Sequence, residues 1–190
     1  PVIEEPESIL RIAQYLPLKL YFHNDEPDCC TMSVTTDKTY KDAYISYFKM
    51  EGTYNLYSPN LTKFFEDSLK GNFNKLKRIF SHILDDLKLG KKIQLHVKGF
   101  SSPLHKKEYN INLSKRRIQS FINYLRFYDN MLFSPFLNSG FLQIIELPLG
   151  ESKSTKKVSD NPNDRLNSIY SLDAILERRI EIIDIKLIDE

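Results

Sequence analysis

Asn110, Ser114 and Arg117 stand at i, i+4 and i+7, so a helix beginning near Asn110 stacks an amide, a hydroxyl and a guanidinium on one face. Such a face suits an anion. A guanidinium presents a planar fork of donors that fits a carboxylate bidentately, and the nearby helix N-terminal turn adds N–H groups and a favourable dipole. Asn110 also fits the role of N-cap. Glu108, Glu177 and Asp25 are the carboxylates available to close Arg117 into an internal ion pair instead. Asp25 follows the first strand, where carboxylates of α/β domains line ligand crevices, although Asp before Glu-Pro is equally a turn composition. Arg178 and Arg179 open an edge or near-edge strand, with one directed to the same crevice and the other to solvent.

Catalysis has little support. The chain contains no GxxxxGK[ST], GxGxxG, HExxH, CxxC or GxSxG pattern, so the motif evidence for phosphate, dinucleotide, zinc or acyl-transfer chemistry is absent. Asp85 and Asp86 are neighbours on a helix, do not face each other, and read as a solvated face. His23 has no partnered nucleophile and reads as a strand-end surface residue. Cys29 and Cys30 are adjacent, with Cα atoms about 3.8 Å apart, below the usual disulfide range. Two free thiols in a loop are expected, against pairing with a partner chain or with a soft metal, because a metal needs further ligands. Neither a metal nor a cofactor is expected.

With 27 basic and 25 acidic residues the charges nearly cancel, which argues against nucleic acid or an anionic membrane as partner. No apolar run reaches the roughly 20 residues needed to cross a bilayer. The chain opens on Pro1 in place of a Met and a signal peptide, and reads as processed or cut from something longer.

The elements that must position these residues follow from periodicity. Residues 1–15 read as a linker or tether end, acidic and proline-bearing, with one helical turn near Ile9 to Gln14. Leu18, Leu20 and Phe22 alternate with polar neighbours and give the first strand. Residues 29–60 are too long for an ordinary loop and form an insertion, in which Tyr40, Tyr44 and Tyr47 share one face of a short helix and pack on the domain. A long apolar stripe runs from Leu61 to Leu87, kinked or split at Gly71-Asn72. Ile93, Leu95 and Val97 mark a strand ended by Gly99. Ile118, Phe121, Ile122 and Leu125 put the apolar face of the next helix inward, with Lys115, Arg116, Gln119 and Asn123 turned elsewhere. Phe141 to Leu147, apolar on both faces, reads as a strand central in the sheet and ended by Pro148. Residues 153–167 read as a mobile loop, Ser171 to Leu176 as a helical turn, and Ile180 to Leu187 as the last strand.

Gly99-Phe100-Ser101-Ser102, an eight-residue loop and YNINLSKRRIQSFINYL together resemble the core motif of OmpA-like peptidoglycan-binding domains, a GHTD-like loop followed by an N-x-x-L-S-x-x-R helix. Asn110, Leu113, Ser114, Arg117, Tyr124 and Leu125 fall in register. Glu177-Arg178-Arg179-Ile180-Glu181-Ile182 resembles the closing N-R-R-V-E-I strand, Tyr21 to Asp25 the opening Y-F-D-x-D strand, and Gly150-Glu151 the segment after the third strand. The resemblance implies an α+β sandwich in β-α-β-α-β-β order over residues 16–190, with a mixed four-stranded sheet, helices on one face and the helical insertion after strand 1. It also implies a non-catalytic periplasmic module that anchors the outer membrane or an envelope complex to peptidoglycan. By the same resemblance, Asp25, Ser102, Asn110, Leu113, Ser114, Arg117 and Arg178 make the ligand site, Arg117 taking the carboxylate of the stem-peptide diamino acid. Ser102 occupies the position of the aspartate that would hold its ammonium. That departure supports the alternative, a scaffold or interaction domain of an envelope or secretion complex that has lost the wall ligand.

Overall fold

A computed structural model describes residues 11–152, 154–155 and 157–188. Four strands, β1 (Leu18–Tyr21), β2 (Lys92–Phe100), β3 (Leu142–Gly150) and β4 (Arg179–Ile188), form one open mixed sheet in the order β1-β4-β2-β3. β4 runs antiparallel to both β1 and β2, whereas β2 and β3 are parallel. The parallel pair requires a crossover, and the helix between them supplies it. The architecture is an α+β sandwich with a mixed four-stranded sheet, the fold class expected.

The helices are α1 (Tyr40–Phe48), α2 (Glu51–Tyr57), α3 (Gly71–Lys88), α4 (Lys107–Phe127), α5 (Ser134–Ser139) and α6 (Leu172–Glu177), with π-helical stretches at Phe64–Lys70 and Leu166–Tyr170. Thr39 starts α1 through a reciprocal capping box with Asp42, and Ser171 caps α6 through the Ala174 N–H. Phe73, Leu76, Phe80 and Ile83 of α3 meet Ile118, Phe121 and Leu125 of α4 over Leu20, Leu95, Val97 and Ile182 of the sheet, forming the main core. A second cluster, Tyr47, Tyr54, Phe64, Phe65, Tyr170 and Ile175, gathers around Tyr21. Tyr40 and Tyr47 are fully buried, so the tyrosines of α1 pack as expected.

Several expectations are corrected. β3 lies at the sheet edge rather than centrally, and Pro148 sits inside it opposite Gly99, which an edge strand tolerates because its outer side needs no N–H donor. By contrast, β4 lies next to the edge, between β1 and β2, so Arg178 and Arg179 stand at the start of a near-edge strand, as expected. α4 begins at Lys107, which leaves Asn110 inside its first turn with its N–H donating to Lys106 and excludes it as the N-cap. Asp86 is buried and held by Lys91 at 2.6 Å, not solvated. Residues 1–10 lie outside the described residues, but Ile12 is fully buried in the core, so the domain begins before residue 16. Within 153–167, Ser154 and Thr155 bond to the Glu177 carboxylate and Val158 is buried, so this part is anchored rather than mobile.

Candidate functional site

The polar side chains along one side of α4 read down the connection between β1 and α1. Asn112 donates to the Met32 carbonyl at 3.0 Å, and Asn123 donates to those of Thr36 and Lys38 at 2.7 and 3.1 Å. Arg116, fully buried, spends its guanidinium on the carbonyls of Pro27, Thr31 and Ser33 at 3.1, 3.0 and 2.6 Å. Tyr109 donates its hydroxyl to the Asp25 carboxylate and accepts from the Cys30 N–H at 3.0 Å. A long loop without regular secondary structure is thereby clamped against a rigid helix.

Arg117 points inward from the neighbouring side of α4. Its donors reach the carbonyls of Phe100 at 2.6 Å, Glu26 at 2.9 Å and His23 at 3.4 Å, and the guanidinium lies over the Phe22 ring. None of Glu108, Glu177 and Asp25 makes an ion pair with it; main-chain oxygens close the fork. Burial pulls the Arg117 guanidinium down to about 9, Arg178 and Arg116 add repulsion, and Asp25 opposes them.

The other residues expected in a ligand site divide between interior and surface. Ser102 is 5 % exposed and Leu113 3 %, and Asn110 and Ser114 are fully buried. Asn110 donates to the His105 carbonyl and to Glu151, while Ser114 receives the Gly150 N–H at 3.3 Å. Arg178 is fully buried against the Ile169 carbonyl at 2.6 Å and the Tyr54 hydroxyl at 3.3 Å. Asp25 alone of the set remains partly open to solvent. The structure therefore brings Arg117 close to Asp25 and Arg178, but it buries the guanidinium completely. His23 is half-buried at the strand end rather than turned out to solvent. It bonds Tyr54 at 2.7 Å, and burial, reinforced by Arg178 and Arg117, lowers its imidazole to about 4.

An opening does lie alongside. A cleft of about 250 Å³ between the start of α4 and the loop is lined by Met32, His105, Lys106, Glu108 and Tyr109. The His105 imidazole is 3.8 Å from the Asp25 carboxylate, and the Cys29 and Cys30 sulfurs lie 2.8 Å apart on the same loop. Sequence reasoning missed Tyr109, His105 and Arg116. Tyr109 adjoins Asn110 in the motif, and this is the one signal that could have found it. Comparison with protein-family models, with curated proteins and with solved structures finds no match for this chain.

Proposed function

We propose that this chain is a non-catalytic scaffold or interaction domain of the OmpA-like type, working in an envelope or secretion complex on the periplasmic side of the outer membrane, with its wall-ligand site closed. The observation that carries the reading is Arg117. A fully buried guanidinium, bonded through three of its nitrogens to the carbonyls of His23, Glu26 and Phe100, is withdrawn from a stem-peptide carboxylate. Ser102, at 5 % exposure, is equally withdrawn from an incoming ammonium. No helix is long and apolar enough to cross a membrane among the described residues.

A second reading, anchoring to peptidoglycan, draws support from Asp25, a carboxylate beside the cleft where a diamino-acid ammonium could be held. Calorimetric titration of the parent and of Asp25→Asn with a soluble muropeptide separates the two. The scaffold reading expects no saturable heat from either protein. Saturable binding by the parent that Asp25→Asn abolishes would overturn it in favour of the anchor.

A further inference from the structure

The connection after β1 carries more chemistry than a scaffold needs. Asp25, Cys29 and Cys30 bring one carboxylate oxygen and two sulfurs within 4.8 Å of one another, and His105 adds an imidazole nitrogen 3.8 Å from the same carboxylate. His105 comes from a separate segment and stands outside that three-residue group, beside its carboxylate, so a rotation of its exposed side chain must bring the imidazole to the sulfurs. Asp25, Asp28 and Cys30 all adopt left-handed backbone, with φ of 58°, 56° and 64°, although none is glycine. Such conformations persist only where the surroundings over-determine them. Arg116, with its bonds to Pro27, Thr31 and Ser33, and Tyr109, with its bonds to Asp25 and Cys30, do so here.

We propose that Asp25, Cys29, Cys30 and His105 form a site for a thiophilic divalent cation of the zinc type. Two thiolates, an imidazole and a carboxylate are a complete four-coordinate donor set for Zn²⁺, and this mixture of soft and borderline ligands disfavours Mg²⁺ and Ca²⁺. Tyr109, donating to Asp25, is placed to orient the carboxylate as an outer partner of a metal ligand. The sulfurs, now 2.8 Å apart with a proton between them, must open to about 3.8 Å, which two Zn–S bonds of about 2.3 Å at a tetrahedral angle require. Both side chains are exposed, so a change of rotamer achieves this without disturbing the core. The cysteines bind Zn²⁺ as thiolates, so their thiol protons leave to solvent, and no oxidant or reductant takes part. The site does not rest on the scaffold reading, since it uses neither Arg117 nor Ser102.

The test uses the full chain, reduced and freed of metal, titrated with Co²⁺ as a spectroscopic probe and then with Zn²⁺ against a chromophoric chelator. Expected are one equivalent bound, a near-ultraviolet thiolate-to-cobalt band, and its replacement by Zn²⁺. Tyr109→Phe should lower Zn²⁺ affinity by about tenfold, as removing an outer partner does, and Cys29→Ser, Cys30→Ser or His105→Gln by about a hundredfold or more. His105→Gln lies outside the strained loop and keeps the test open if a cysteine variant misfolds. Absence of the thiolate band in the reduced parent would overturn the site. So would Zn²⁺ affinity unchanged in a folded Cys29→Ser/Cys30→Ser double variant.

Discussion

A Cβ on Gly99 would lie 2.6 Å from the Ser114 carbonyl oxygen and 3.1 Å from the Ile118 side chain. β2 and α4 meet here with backbone almost touching backbone, and only a residue without a side chain fits. Gly99→Ala should therefore destabilise the fold by about 1–3 kcal/mol, the usual range for overpacking. Gly52→Ala in α2, where nothing lies within 4 Å, should instead stabilise by up to about 1 kcal/mol. Urea denaturation of the two variants beside the parent measures both.

Arg117→Ala leaves the carbonyls of His23, Glu26 and Phe100 without this donor in a buried place. The His23 carbonyl keeps the Glu26 N–H at 3.3 Å, and at about 1–3 kcal/mol for a buried group left unpaired a loss of about 2 kcal/mol or more is expected. Arg117→Lys keeps the charge but not the fork, so it should fall between parent and Ala. Thermal melting orders the three, and an Arg117→Ala protein as stable as the parent would contradict the structural role assigned to this residue.

His23 makes stability depend on pH. Its folded value is about 4 and its unfolded value near 6.5, so between those limits the unfolded chain binds more protons and stability falls as the solution is acidified. At 1.36 kcal/mol per unit the full shift corresponds to about 3 kcal/mol lost on going from pH 7 to pH 4. Urea midpoints at pH 7, 5.5 and 4 should fall more steeply in the parent than in His23→Asn, which cannot charge.

Releasing the clamp should free the loop without unfolding the sheet. Arg116→Met removes the donors to Pro27, Thr31 and Ser33, and amide hydrogen exchange across 27–33 should accelerate well before exchange in β2 or β4 does. Uniform acceleration throughout the domain would mean that Arg116 supports the core instead.

Ile93, Leu95 and Val97, and Ile180 and Ile182, alternated clearly enough to fix two strands, because a strand with one buried face writes its burial into every second residue. The same logic misplaced β3. Its run of apolar residues suggested cover on both faces, yet Leu147 is left 37 % exposed at the edge. Arg116 and Asn123 were read as turned away from the core, since helical periodicity opposes them to Ile118 and Phe121. Both are buried because a loop with no periodicity of its own lies over them. Acceptors on a distant main chain leave no trace in side-chain spacing. For that reason the closing of Arg117 and the meeting of His105 with Asp25 were not legible, whereas the helix that carries Asn110 and Ser114 was.

The rod that runs from the π-helical Phe64–Lys70 into α3 also behaves as a phase shifter. A π turn holds one residue more than an α turn, which offsets the downstream stripe by about 100°. Leu61, Phe65 and Leu69 can thus face the aromatic cluster around Tyr47 while Phe73, Leu76 and Phe80 face the sheet. Two hydrophobic cores share one axle, and the chain's register is what keeps them from competing. Removing a single residue between 66 and 70 would reset that register and rotate one set of anchors out of its core, a change far more damaging than any one side chain lost there.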